Sequence, residues 1–155
     1  MTQSLADEGE RELRAGNFAA AEKLLAAAAK ADPRSARVQH LLGVALHEQG
    51  ELDRAIACYR RAVQLDAGLA HLRRDLGDAY FAKRRFGEAE ACYREAIRQD
   101  ASDELACMGV GSALREMGDL VAARKHFQRA LWLKTRRWLR ASWAAIVRYF
   151  GRKSV

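Results

Sequence analysis

The chain is 155 residues long, 50% apolar and 30% charged, with a formal net charge of +7. That length buries one core and leaves no room for a second large domain. A single proline and 11 glycines exclude the dense turn punctuation of many short strands, so an all-helical chain is expected.

The N-terminal residues are acidic and lack an apolar centre, unlike a secretory signal. No stretch approaches the roughly 18 uninterrupted apolar residues of a membrane span. A soluble, cytoplasmic protein is the expectation. Cys58, Cys92 and Cys107 are odd in number and stand at no metal-ligand spacing, which points to reduced thiols rather than a disulfide framework or a zinc site.

The first helix is expected over 3–15 and carries Asp7, Glu8, Glu10 and Glu12. Gly16 ends it, and Asn17 is suited to cap a second helix over 18–31, which holds the alanine runs 19–21 and 26–29. Pro33 closes that pair, and Ser35 is suited to cap a third helix over 36–49. From there the chain repeats itself. Gly16, Gly50 and Gly118 fall at multiples of 34, each followed by Asn17, Glu51 or Asp119 and then by Phe18, Leu52 or Leu120. Phe86 fills the third slot, and further helices are expected over 52–65, 70–83, 86–99, 104–117 and 120–134.

Small residues carry the same period. Gly9, Gly43, Gly77 and Gly111 share one register position, Ala21, Ala55, Ala89 and Ala123 a second, and Ala28, Ala62, Ala96 and Ala130 a third. Close helix crossing explains them, on the expectation that neither helix carries a bulky side chain where the two meet. Large residues recur between them, Leu25, Tyr59, Tyr93 and Phe127 at one slot and Leu42, Leu76 and Val110 at another, as knobs for a neighbouring helix.

A 34-residue repeat of two helices with this small-and-large pattern resembles the tetratricopeptide-repeat (TPR) family. The resemblance implies an all-α, right-handed superhelical solenoid with repeats at 2–35, 36–69, 70–103 and 104–137. Residues 138–155 then form a basic, aromatic capping helix and a short tail. Two departures stand out. The closing proline survives only as Pro33, with Ala67, Ala101 and Thr135 in the other slots, and Arg84 takes the place of a turn glycine, where about 1 kcal/mol of strain is expected. Glu8 and Glu12 replace the apolar Leu42 and Leu46 of the next repeat, the polar outer face that a terminal repeat needs.

In that family one flank of each repeat's first helix lines a concave groove for peptides or helices. Carried onto this chain, the flank is Arg37, His40, Val44, His47 and Glu48, then His71, Arg74, Asp78, Phe81 and Ala82, then Leu105, Met108, Ser112, Arg115 and Glu116. The histidines read either as a polar wall or as a pH-sensitive or anion-binding site. His40 and His47 lie two helical turns apart, about 10 Å, too far to share a metal ion without a third element. The slots that clamp a chaperone's terminal carboxylate elsewhere in the family read Ala6, Glu10, Leu41, His71 and Asp75, or one repeat later His40, Val44, Asp75, Leu105 and Gly109. Neither set is a clamp, so chaperone tails are not expected as partners.

After Asp119 no acidic residue occurs, while Arg124, Lys125, Arg129, Lys134, Arg136, Arg137, Arg140, Arg148, Arg152 and Lys153 follow, interleaved with Trp132, Trp138 and Trp143. A separate amphipathic helix is expected over 137–150, with Arg137, Arg140 and Arg148 on one side and Trp138, Leu139, Trp143, Ile146, Tyr149 and Phe150 on the other. The family implies that it caps the last repeat. Its apolar arc of about 200° exceeds the roughly 100° of one contact face. The surplus suits an anionic membrane surface or a second copy of the chain. The acidic first helix also allows head-to-tail stacking of copies. Nucleic acid fits less well, because no recognition motif accompanies the basic patch.

No phosphate-cradling loop, metal triad or nucleophile motif occurs, and Cys107 falls in a core slot. The expectation is a non-enzymatic scaffold or adaptor, without cofactor or metal, that binds a protein or peptide client in its groove.

Overall fold

The computed structural model describes the backbone of residues 2–151 and the side chains of 4–139 and 142. Its described residues form α-helices and no strands: α1 (Thr2–Arg14), α2 (Phe18–Ala31), α3 (Ala36–Glu48), α4 (Leu52–Leu65), α5 (Ala70–Ala82), α6 (Phe86–Gln99), α7 (Glu104–Glu116) and α8 (Leu120–Gly151). From α1 to α7 each helix begins and ends within a residue of its expected place. Every helix packs chiefly on its neighbours in the chain, α1 on α2, α2 on α3 and so on to α7 on α8. That one-dimensional stacking is the mark of a solenoid.

The periodic alanines are the inside of the stack. Ala21, Ala55, Ala89, Ala28, Ala62 and Ala96 are wholly inaccessible, and Ala123 and Ala130 are at 2% and 4%. The periodic glycines work differently from the expectation of two slim helices crossing. A Cβ at Gly9 would stand 2.6 Å from Leu25, at Gly43 2.7 Å from Tyr59, at Gly77 2.7 Å from Tyr93 and at Gly111 2.8 Å from Phe127. Each first helix is therefore hollowed at one point to admit a large side chain of its own second helix, a knob entering a hole.

The turns obey the same register. Gly16, Gly50 and Gly118 take φ of +79°, +78° and +89°, and Arg84 is forced to +59° in the slot without glycine. Its guanidinium lies 5.4 Å from the Phe86 ring, a contact that offsets part of the cost. Ser35 caps α3 as expected, accepting from the Val38 amide, and Asp103 caps α7 through the Ala106 amide at 2.9 Å. Asn17 does not cap α2. Its side-chain amide donates instead to Glu12 at 2.8 Å.

The C-terminal end departs most from expectation. Instead of one helix ending near 134 and a second over 137–150, α8 runs unbroken for 32 residues. No glycine or proline stands between Asp119 and Gly151, and Thr135, the one poor helix former near the expected break, turns its hydroxyl back to the Trp132 carbonyl at 2.9 Å. An unbroken helix does not fold back over its own repeat, so the capping helix expected from 138 is, through Gly151, a continuation of α8, while residues 152–155 of that segment lie outside the described residues.

Candidate functional site

The first helices α5 and α7 lie side by side, and a cleft of about 300 Å³ opens between them. Arg74, Asp78 and Phe81 line it from α5, and Leu105, Met108, Gly109 and Ser112 from α7. Its floor is Tyr93 of α6, and the ring is held from both sides, because a Cβ at either Gly77 or Gly109 would come within 2.7 Å of it. The Tyr93 hydroxyl donates to the Asp78 carboxylate at 2.6 Å. Desolvation by the surrounding helices raises the Asp78 pKa, an effect that the Tyr93 hydrogen bond opposes, even though solvent reaches Asp78 from the cleft mouth. Leu105 and Met108 remain 53% and 49% exposed on the α7 lip. Facing them, Phe81 packs edge-on against Phe86 at 5.2 Å.

A second hollow of about 610 Å³ adjoins the first, sharing Arg74 and Leu105 with it. Leu69, His71, Asp103, Glu104, Arg136 and Arg137 are among its other walls. The Arg74 guanidinium reaches Asp103 at 3.0 Å and Asp75 at 3.7 Å, so it is braced by α7 as well as by its own helix. Asp75 also holds His40 of α3 at 2.6 Å, and the His40 and His71 rings stand edge to face at 5.4 Å. Desolvation, and then the His40 ring beside it, lower the His71 pKa. His47 stays apart, edge-on to Tyr59 at 6.4 Å. Among the described residues no group of three or more metal-ligating side chains converges.

The expected groove residues thus divide. Arg74, Asp78, Phe81, Met108 and Ser112 gather in one cleft, and His40 and His71 meet beside it. Arg37 is tied to α1 through Asp7 at 2.8 Å and Glu10 at 2.5 Å, while Val44 packs half-buried against the core. Arg115 stands exposed, 3.5 Å from Glu116, and lines a different cleft on α8. Sequence reasoning missed Asp75, which stands one turn after His71 on α5, and missed Tyr93 as a groove floor. The recurrence of glycine at 109 as well as 111 was the available signal for the latter.

On α8, Trp132 and Trp138 are 55% and 67% exposed, and the Arg136 guanidinium lies 5.0 Å from the Trp132 ring. Arg137 pairs with Glu104 at 3.0 Å. The side chains of Arg140, Trp143 and Arg148 lie outside the described residues, although the helix backbone passes through them. No helix among the described residues is long and apolar enough to cross a membrane.

The chain is similar in fold to MamA, whose crystal structure superposes with a TM-score of 0.85 at 24% identity over 88% of this chain and 80% of that one. A MamA fragment from Desulfovibrio magneticus RS-1 gives 0.83 at 17% identity, over 88% of this chain and 77% of that one. PilF of Pseudomonas aeruginosa gives 0.77 at 25% identity, over 85% of this chain and 60% of that one. No curated protein matches the sequence. Two family models described as tetratricopeptide repeat match residues 6–70 and 46–107, together more than half of the chain. With paired helices at the family's spacing and its small residues sealed inside the stack, the chain belongs to the tetratricopeptide-repeat family.

Proposed function

We propose that the protein is a non-enzymatic scaffold that holds a peptide or helix of a client protein in the groove between α5 and α7. The observation that carries this reading is the cleft itself. Phe81, Leu105 and Met108 offer apolar contact beside Arg74, Asp78 and Ser112, a mixture that suits an amphipathic segment. An apolar client side chain would rest on Leu105 and Met108 over the Tyr93 ring. Asp78 and Ser112 would take hydrogen bonds from the client, and Arg74 would answer a carboxylate. Tyr93 and Arg74 are already fixed by their partners, so little side-chain freedom is lost on binding.

Chemistry at the thiols is disfavoured. Cys107 is fully buried, and burial raises its pKa, the opposite of an activated nucleophile. The free thiols of Cys58, Cys92 and Cys107 suit a reducing, cytoplasmic setting.

The groove is tested by replacing its exposed lip. Leu105→Asp with Met108→Asp adds charge where neither side chain supports the core, so folding is retained while client capture should weaken at least about tenfold. Parallel affinity capture with both forms reads the outcome, and a client retained equally by the two removes the groove. Arg74 is a poorer target, because its partner Asp103 caps α7.

A second reading rests on the exposed Trp132 and Trp138 beside Arg136: peripheral contact with an anionic membrane through α8. Vesicles containing phosphatidylglycerol should sediment the protein and release it on Trp132→Ala with Trp138→Ala. Sedimentation that the two alanines leave unchanged excludes this reading.

A further inference from the structure

We propose that α8 carries a second docking surface, separate from the groove, for an acidic amphipathic helix of a partner protein seated where a further repeat's first helix would lie. The chain supplies its own controls. Positions of the second helix pack toward the first helix of the next repeat: Ala29 lies against the cluster that holds Val38, and Ile97 against the one that holds Cys107. Ala29, Val63 and Ile97 are half-buried at one such position, and Phe18, Leu52 and Phe86 are half-buried at the first residue of the same helices. At the same two positions of α8, Leu120 is 65% exposed and Leu131 62%. With Ala123 and the half-buried Phe127 they line a cleft of about 330 Å³, edged by Arg115, Arg124 and Gln128.

The occupants of the equivalent slots state what fits. α5 presents Leu72, Leu76, Ala79 and Tyr80, and α7 presents Ala106, Val110, Ala113 and Leu114, all buried. Both are apolar at i, i+4, i+7 and i+8, one face of a helix. The exposed stripe from Leu120 to Leu131 is three turns long, about 17 Å, which one helix of about 13 residues covers. Its charge follows from the rim. Among the described residues Arg124 has no carboxylate partner, Arg115 reaches only Glu116, and no acidic residue follows Asp119 in the sequence. A helix with carboxylates flanking its apolar face complements that rim, whereas a basic one is repelled.

Two occupants from the chain itself fit less well. The segment up to Gly151 does not fold back onto this face, because α8 is unbroken from Leu120 to Gly151. A second copy's α1 is acidic but sets Ser4, Glu8, Arg11 and Glu12 in the four knob positions, so it has nothing to place between Leu120, Phe127 and Leu131.

The test uses the full chain and two labelled synthetic peptides of about 16 residues, both with Leu at i, i+4 and i+8 and Ala at i+7, one filled with Glu and the other with Lys. Fluorescence anisotropy should show saturable binding of the Glu peptide, at least about tenfold tighter than the Lys peptide, and weaker as salt is raised. Leu120→Asp with Leu131→Asp should weaken it at least about tenfold, while Leu105→Asp with Met108→Asp leaves it unchanged. Arg124→Glu, a surface exchange that leaves the apolar face intact, should narrow or reverse the preference between the two peptides. Absence of binding, equal binding of both peptides, or indifference to the α8 double variant overturns the proposal. So does loss of binding in the groove variant alone. Light scattering that shows self-association abolished by the α8 variant gives the face to a second copy. Sedimentation with anionic vesicles abolished by it gives the face to lipid, and either result overturns the acidic helix.

Discussion

Tyr93 joins two repeats and floors the groove, and glycine makes both roles possible. Gly77→Ala would drive a Cβ to 2.7 Å from its ring with no flexible side-chain end to yield, so a loss of about 1–3 kcal/mol is expected. Gly87, near the start of α6, has nothing within 4 Å of the same added atom. Gly87→Ala should therefore be neutral or gain up to about 1 kcal/mol from helix propensity. Denaturation midpoints of the two variants, moving in opposite directions, would separate packing from propensity. His71 offers a pH reading. Desolvation and then His40 hold its folded pKa below the unfolded value, so the folded state binds fewer protons between the two. Above about pH 6.5 the group contributes nothing to the pH dependence of stability, and acidification through the window below destabilises the fold. Its NMR titration midpoint should lie below the ordinary histidine range and move back toward it in His40→Gln.

At the scale of elements, the helix pairs were legible because their boundaries are written in local chemistry. A glycine in the left-handed region ends the first helix of three repeats, and alanines at fixed register reveal which faces touch. The break expected near 135–136 was inferred from the family's register rather than from any residue that stops a helix, and the structure has none there. The closing-proline slot turns this difference into an experiment. Pro33 follows Asp32 at φ −133° and ψ 87°, while Ala67 follows Asp66 at −139° and 93°, and Ala101 follows Asp100 at −129° and 97°. All three preceding residues are extended, as a proline requires of the residue before it. Ala67→Pro and Ala101→Pro should accordingly raise stability by about 0.4–1 kcal/mol by stiffening the unfolded chain. Thr135→Pro, in the same repeat slot, falls inside α8 and should cost about 3 kcal/mol of helix stability, with a measurable loss of circular dichroism. A tolerated proline at 135 would restore the separate last helix.

For the molecule as a whole, stability is distributed along one dimension, since among the described residues each repeat packs chiefly on its neighbours. Of the expected groove face, the first-helix register names the α5 and α7 residues that line the cleft, Arg74, Asp78, Phe81, Leu105, Met108 and Ser112, while Arg37, Val44, His47 and Arg115 lie elsewhere. The closure of that face into a cleft at α5 and α7 was not legible in the sequence, because that depends on Asp103 and Tyr93 reaching across elements. The same cross-links predict where the stack parts. Leu25 fills a hole in its own terminal repeat, whereas Tyr93 lies against Gly77 of its own repeat and Gly109 of the next. Both truncations to alanine remove a buried knob and should cost about 3–5 kcal/mol locally, but they should propagate differently. In Leu25→Ala, amide exchange should accelerate in α1 and α2 and leave α5 to α7 protected. In Tyr93→Ala the joint between the third and fourth repeats is lost, so α7 and the adjoining part of α8 should exchange together, ahead of α3 and α4. Uniform acceleration along the chain in Tyr93→Ala would mean that the solenoid unfolds as one block and that the tyrosine is not a joint. A separable end would also lose one wall of the cleft with it, since Leu105, Met108 and Ser112 all stand on α7, and the client binding proposed for that cleft should then fail at denaturant concentrations that leave most of the helix intact.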